Sequence, residues 1–190
     1  RDRHAILDAA YVCHVAFVDE KGTHCIPTAC WREGEHLYIH GSNGGRLIKL
    51  LAKGTQACVT VTHIDGLVLA RSAFSHSMNY RSAMVYGQFE TVEEKAAALD
   101  TFMRHLAPGR EREARPGNSK ELAATTVMRI SLAEAACKVR TGGPNDDEED
   151  MNRPVWAGVL PLRSVPMAPV PDVQNTQPAP VYVQQWGAGV

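Results

Sequence analysis

The sequence predicts a mainly β fold, an antiparallel barrel with flanking helices, and three observations predict it. Short apolar stretches rich in Val and aromatic residues recur through the first two-thirds of the 190-residue chain, most of them followed by a turn signal. Residues 56–63 alternate strictly, with Ala57, Val59 and Val61 on one side and Cys58, Thr60 and Thr62 on the other. Helical periodicity is confined to three segments, which fits a barrel better than a doubly wound sheet.

Taken in order, residues 11–18 read as a strand, and Asp19-Glu20-Lys21-Gly22 turns the chain into a second strand over 23–31. Arg32-Glu33-Gly34-Glu35 turns it again into 36–40. A helix over 43–53 places Leu47, Leu50 and Leu51 on one face and stops at Gly54. After strand 56–63, Asp65-Gly66 is a hairpin signal leading into 67–73, and 80–90 is a further long strand. Thr91-Val92-Glu93-Glu94 has the spacing of a capping box and opens a helix to Leu106, with Leu99, Phe102, Met103 and Leu106 as its packing stripe. Pro108-Gly109 ends it; a charged loop, a short helix over 118–124 and a strand near 126–132 follow.

Composition changes near Pro161. Six of the eleven prolines fall in the last thirty residues, where Arg163 and Asp172 are the only charged side chains. Residues 1–162 therefore read as one domain, and residues 163–190 as an extended Pro-rich tail suited to lying on a partner subunit.

Charge and composition exclude several classes of function. Hydrophobic residues make up 44% of the chain, charged residues 22%, and the formal net charge is −1, so neither disorder nor a global attraction to nucleic acid or anionic lipid is indicated. No apolar run approaches the roughly 20 residues needed to span a bilayer, and the first residues lack the apolar core of a signal peptide. The five cysteines are odd in number and form no C-x-x-C pair, which reads as buried, reduced thiols in a cytoplasmic protein. The eight histidines carry no metal-ligand spacing, no G-x-S-x-G elbow occurs, and basic residues are not interleaved with aromatics. The reading is of no metal site and no nucleic-acid or membrane partner.

Two segments could carry chemistry. His40-Gly41-Ser42-Asn43-Gly44-Gly45-Arg46 ends a strand and opens a helix, so free amides, the Ser42 hydroxyl and the Arg46 fork could meet an anion. No Asp or Glu occurs between Leu37 and Ile64, while Arg46, Lys49 and Lys53 do. The same residues also suit a plain Gly-rich turn before a helix with solvated cations. Residues 71–82 are dense in hydroxyls and amides, suited either to the polar edge of a heteroaromatic ring or to local turns.

Three ordered motifs then resemble a known family. Cys25-Ile26-Pro27-Thr28, Leu37-Tyr38-Ile39-His40-Gly41-Ser42 with Arg46, and Asn79-Tyr80-Arg81-Ser82-Ala83-Met84-Val85-Tyr86-Gly87 look like the FMN-binding split barrels related to pyridoxamine 5′-phosphate oxidase. The nitroimidazole-resistance-protein-like branch is the most similar, and the resemblance runs from about Ile6 to Leu162. It implies a six-stranded antiparallel FMN-binding split barrel, homodimeric, with FMN in clefts between subunits. Pro27 and Thr28 would run beside the flavin ring. His40, Gly41, Ser42, Gly45 and Arg46 would surround the ribityl chain and phosphate. Asn79, Tyr80 and Ser82 would approach the ring from the other subunit, and Trp156 would close the cleft. Asn43 and Gly44 stand where many relatives carry a basic residue, and the arginine-rich set that holds a substrate phosphate in pyridoxamine 5′-phosphate oxidase is missing. The resemblance implies an FMN-dependent oxidoreductase acting on a small organic substrate, with His76 and Tyr80 as candidates for proton delivery. The alternative on the same barrel is a non-catalytic flavin- or haem-binding, storage or sensing protein; a deazaflavin is a further cofactor alternative.

Overall fold

A computed structural model describes residues 2–188. Six strands close into a barrel: β1 (Val12–Asp19), β2 (Gly22–Glu33), β3 (His36–Ser42), β4 (Gln56–Leu69), β5 (Ser77–Thr91) and β6 (Thr125–Ser131). Neighbours run β5-β6-β3-β2-β1-β4, and the β4–β5 pairing closes the ring. All these pairings are antiparallel.

The barrel is split because its two longest strands change partners along their length. β4 pairs with β1 through residues 57–60, then with β8 (Gly158–Pro161) through residues 66–69. β5 pairs with β6 only through Phe89–Thr91, and its earlier residues 80–85 take β7 (Ala135–Arg140) instead. Gly87 sits where β5 turns from one partnership to the other; its φ of 145° is a conformation L side chains rarely adopt. β7 and β8 were not legible as strands in the sequence: one lacks clean alternation, and the other is four residues long and ends in proline.

Alternation decides the core. Leu37, Ile39, Val15, Val59, Val85 and Ile130 point inward and are all but inaccessible to solvent. α1 (Asp2–Asp8) adds Ile6 and Leu7 to this core, and α2 (Arg46–Leu51) adds Ile48 and Leu51. Burying each such side chain contributes about 1.5–3 kcal/mol. A bidentate Arg32–Asp8 pair, at 2.7 and 2.8 Å, fastens the end of α1 to β2. On the outside, α3 (Lys95–Leu106) lays Ala98, Leu99 and Phe102 over Trp31, Tyr38 and Val127.

Four local expectations are corrected. Asp65-Gly66 makes no hairpin: a type I′ turn needs positive φ at both central residues, and neither has it. The pair forms an irregularity inside the continuous β4, and the Asp65 carboxylate accepts two bonds from Arg81 at 2.7 and 2.8 Å. Thr91 caps no helix, because it is paired with Met128 in the β5–β6 ladder; α3 starts after Glu94. α2 starts at Arg46 instead of Asn43, since Asn43 is pinned to Ala123, Ala124 and Thr126 by side-chain and backbone bonds. Cys13 and Cys30 are buried as expected, whereas Cys25 and Cys137 are exposed.

The short helix α4 (Ser119–Ala124) carries the capping box the chain does use, between Asn118 and Glu121. Beyond Leu162 the chain is extended until one helical turn, α5 (Val181–Gln184), where the Tyr182 hydroxyl donates to Glu113 at 2.6 Å. No helix among the described residues is long and apolar enough to cross a membrane.

Gly41 is the tightest close approach on β3: a Cβ there would lie 2.8 Å from Ile48 Cγ1. Gly41→Ala is expected to cost about 1–3 kcal/mol of stability by overpacking. Denaturant unfolding of G41A alone and with Ile48→Ala checks this, and strictly additive losses would remove the steric explanation.

Candidate functional site

The segment 40–46 folds as a strand end, a glycine turn and a helix start. Gly45 is the N-cap of α2, with its amide bonded to the Ser42 carbonyl at 2.9 Å and no side chain capping the first turn. Ser42, Asn43 and Gly44 are exposed, and nothing lies within 4 Å of where a Gly44 Cβ would stand. The Asn43 amide is likewise taken, by the Ala124 carbonyl, so the Ser42 hydroxyl is the side-chain group the turn itself offers an anion.

Arg46 is where the fold departs most from the linear charge pattern. The β1–β2 turn carries Asp19 to it, and Arg46 Nη2 donates to Asp19 Oδ2 at 2.5 Å. His24 Nε2 lies 2.8 Å from Asp19 Oδ1 and 3.0 Å from Arg46. Burial alone would raise the Asp19 carboxyl, but the bonds from His24, Arg46 and the Lys21 amide outweigh it and lower its pKa to about 2. The acid-free stretch of sequence is thus not acid-free in space.

His40 turns away from this turn. Along β3, Leu37, Ile39 and Gly41 face the barrel interior, and Tyr38, His40 and Ser42 face outward. The His40 ring packs against Phe102 at 4.9 Å and Trp31 at 5.9 Å between centroids. Its Nδ1 is buried without a partner, and burial lowers its pKa below the ordinary value. Its structural surroundings are those of a packing residue beneath α3, which takes it out of the turn's lining.

Pro27 and Thr28 lie in the middle of β2, paired with His14 and Cys13. Pro27 is exposed on the outer face of the sheet and Thr28 is half-buried.

The remaining predicted residues gather at the far end of the sheet. Asn79 is buried; its amide donates to the Gly142 carbonyl at 3.1 Å, and its Oδ1 accepts from Arg140 Nη1. Tyr80 is half-buried, with Lys138 Nζ 5.9 Å from its ring centroid. Ser82 donates to the Lys138 carbonyl at 3.3 Å. His76 is exposed and its Nδ1 lies 3.0 Å from the Ser72 carbonyl. A carbonyl only accepts, so Nδ1 carries the proton there and Nε2 of the neutral ring is left as an acceptor. Trp156 is 64% exposed and its ring stands over Gly158, at the outer edge of β8.

Two groups result, and one chain does not bring them together. The turn group stands beside the β1–β2 hairpin, near the start of β4, where Phe17 pairs with Ala57. The Asn79–Tyr80–Ser82 group stands beside Ile64 and Gly66, further along the same strand. From Ala57 to Ile64 at the rise of an extended strand is roughly 23 Å. Sequence reasoning gave no role to Lys138 and Arg140, which lie on β7 opposite Ser82 and Tyr80.

A six-stranded antiparallel ring with its two longest strands handed on to β7 and β8 is the FMN-binding split-barrel fold. Residues 1–139 match the family model described as pyridoxamine 5′-phosphate oxidase, and the chain belongs to that family. It is similar to the flavocytochrome Anf3 from Azotobacter vinelandii, at 44% identity over 96% of this chain and 87% of that one, with a TM-score of 0.90. It is also similar to the FAD and haem binding protein from Mycobacterium smegmatis, at 37% identity over 98% of this chain and 95% of that one, with a TM-score of 0.93. A candidate 5-nitroimidazole antibiotic resistance protein from Bacteroides thetaiotaomicron shares 26% identity over 72% of this chain and 82% of that one, with a TM-score of 0.59. No curated protein matches the chain.

The Asp19 carboxyl gives a direct check on the Arg46 cluster. Its folded pKa is depressed, so the stability it supplies is fully present above the ordinary Asp value and is lost as the pH falls through about 2. Carboxyl-carbon NMR should show Asp19 titrating near pH 2; a midpoint at the ordinary Asp value would dissolve the cluster.

Proposed function

We propose that the chain binds a flavin nucleotide between two copies of itself and acts as an FMN-dependent oxidoreductase on a small organic substrate. The observation that carries this reading is the division of the site: a glycine turn with Ser42 and Arg46 at one end of β4, the polar side chains of Asn79, Tyr80 and Ser82 at the other, and no contact between them within one chain. A second copy is what would complete it. Support for the flavin comes from the two relatives above 35% identity, a flavocytochrome and an FAD and haem binding protein. FMN and FAD share the ribityl phosphate that the turn suits.

The outer face of the sheet supplies a surface for the second copy. Val12, Val18, Ile64 and Tyr86 stand 49%, 64%, 42% and 48% exposed there. Exposed large apolar side chains on one sheet face suit an interface with a second copy. Pro27 lies on the same face, beside His14.

The residues fit the group. Ser42 and Arg46 would hold the phosphate with a hydroxyl and a guanidinium, Gly45 would keep the turn free of a side chain, and Gly41 lets the strand end close on Ile48. Pro27 and Thr28 would flank the ring, and Asn79, Tyr80 and Ser82 of the other copy would meet its polar edge. Trp156, exposed and aromatic, would cover the cleft. A bound flavin supplies the electron transfer. The chain's own part is placement, exclusion of water and proton delivery, for which His76 Nε2 and the Tyr80 hydroxyl are the available groups.

A second reading adds haem, because both of those relatives are haem-associated by name. His14 would suit ligation of a haem iron: it is exposed on the outer face beside Pro27 and Thr60, with no hydrogen bond to its side chain among the described residues. A Soret band in haem-titrated protein that disappears in His14→Ala supports this reading. A band unchanged in H14A removes His14 from it.

The test of the main reading is the visible spectrum of the purified protein, with mass analysis of what heat releases. A two-band flavin spectrum with FMN or FAD in the supernatant is expected, and a deazaflavin would be told apart by mass. A colourless protein that refuses added FMN and FAD overturns it. Arg46→Ala should weaken FMN binding at least tenfold, about 1.4 kcal/mol. Val18→Glu combined with Tyr86→Arg should convert a dimer to a monomer and lose flavin with it, as read by light scattering and absorbance; a flavin-loaded monomer would defeat the shared-site reading.

A further inference from the structure

Lys138 and Arg140 form a cationic pair on β7 that the phosphate turn does not use. They are two residues apart, so both point to the same face of the sheet, about 7 Å from one another along the strand. Their register partners on β5 are Ser82 and Tyr80, and the same rows continue to Thr62 and Ile64 of β4. Neither cation has a carboxylate partner among the described residues.

Arg140 is held in place by neutral groups alone. Nη1 donates to Asn79 Oδ1 at 2.5 Å and to the Gly142 carbonyl at 3.4 Å, and Nη2 donates to the Gly143 carbonyl at 3.1 Å. Asn79 is itself only 8% exposed, and its amide also donates to the Gly142 carbonyl, so the cradle is fixed. A guanidinium has five N–H donors; two therefore remain, at Nε and Nη2, with the full positive charge uncompensated. Lys138 lies across the Tyr80 ring, a contact that orients an ammonium without neutralising it. The contrast with Arg46, whose charge already faces Asp19, is direct.

We propose that Lys138 and Arg140, oriented by Tyr80 and Asn79, form a second anion site that takes the diphosphate of an ADP moiety. Two separately anchored cations match two adjacent phosphates: the guanidinium edge takes one through paired bonds, and the ammonium meets the other as a point charge. An ADP moiety is carried by the pyridine dinucleotides; in FAD one of the two phosphates is the ribityl phosphate of FMN itself, which the turn already suits. The site therefore takes the ADP end of a pyridine dinucleotide, a donor role that rests on the flavin reading; the binding of ADP itself does not.

The experiment is isothermal titration of the full chain with ADP, FMN, FAD and NADH, for wild type, Lys138→Glu and Lys138→Arg. Lys138 is exposed, and circular dichroism verifies that both variants fold. Wild type should bind ADP, with an affinity that falls as salt rises. Lys138→Glu should weaken ADP at least tenfold while FMN affinity holds, and Lys138→Arg should retain most of it. A parallel loss for NADH with FMN and FAD unchanged assigns the site to the electron donor; a loss for FAD without NADH overturns that assignment. Wild type that ignores ADP, or an ADP affinity unmoved in K138E, overturns the proposal, as does an equal loss of FMN. If wild type takes up no flavin yet binds ADP through Lys138, the anion site stands and the flavin reading falls.

Discussion

The β4–β5 ladder is the pairing on which the rest of the molecule depends. It closes the ring through twelve register pairs and joins two strands longer than any barrel neighbour can cover. An uncovered strand edge is a row of unpaired backbone groups. β7 and β8 resolve that by completing the excess lengths, and in doing so they fix Tyr80, Ser82, Lys138 and Trp156 in relation to the barrel. Both ends of the candidate site are therefore set by how far β4 and β5 overrun the ring.

Local electrostatics follow from the same geometry. The β1–β2 hairpin must fold back across the end of the ring, and Asp19 at its tip arrives beside Arg46. The resulting pair is screened from water on the carboxylate side, with 12% of the Asp19 side chain exposed. At the opposite end, the edge strand β7 supplies cations to a surface where backbone carbonyls and one amide do the anchoring. One end holds a guanidinium with a carboxylate beside it, the other two cations with none.

Much of this was legible in the sequence, and the failures have physical causes. Strict alternation over residues 56–63 located β4, and the Asp19-Gly22 and Gly34 turns located β1 to β3. Asp65-Gly66 misled because a turn-forming pair also suits a bulge, and only backbone φ separates the two. Thr91 misled because a capping spacing says nothing about whether a ladder already occupies the residue. Charge counted along the chain could not see Asp19, which is twenty-seven positions from Arg46. His40 was recoverable: extending the period-2 rule through Leu37, Ile39 and Gly41 places it on the other face. Lys138 and Arg140 were not recoverable in this way, because the β7 stretch shows no clean alternation and no strand could be assigned there.

Between β7 and β8 the chain makes a long excursion, residues 141–157, that contributes no strand to the ring. Its main tether is Asp146, whose carboxylate takes the Arg71 and Ser72 amides and the Arg71 guanidinium. Closure is complete without this stretch, which is held at two places, by Asp146 and by the Gly142 and Gly143 carbonyls on Asn79 and Arg140. Between those holds, a change of length or composition would rewrite this one excursion while the pairings of the ring are kept.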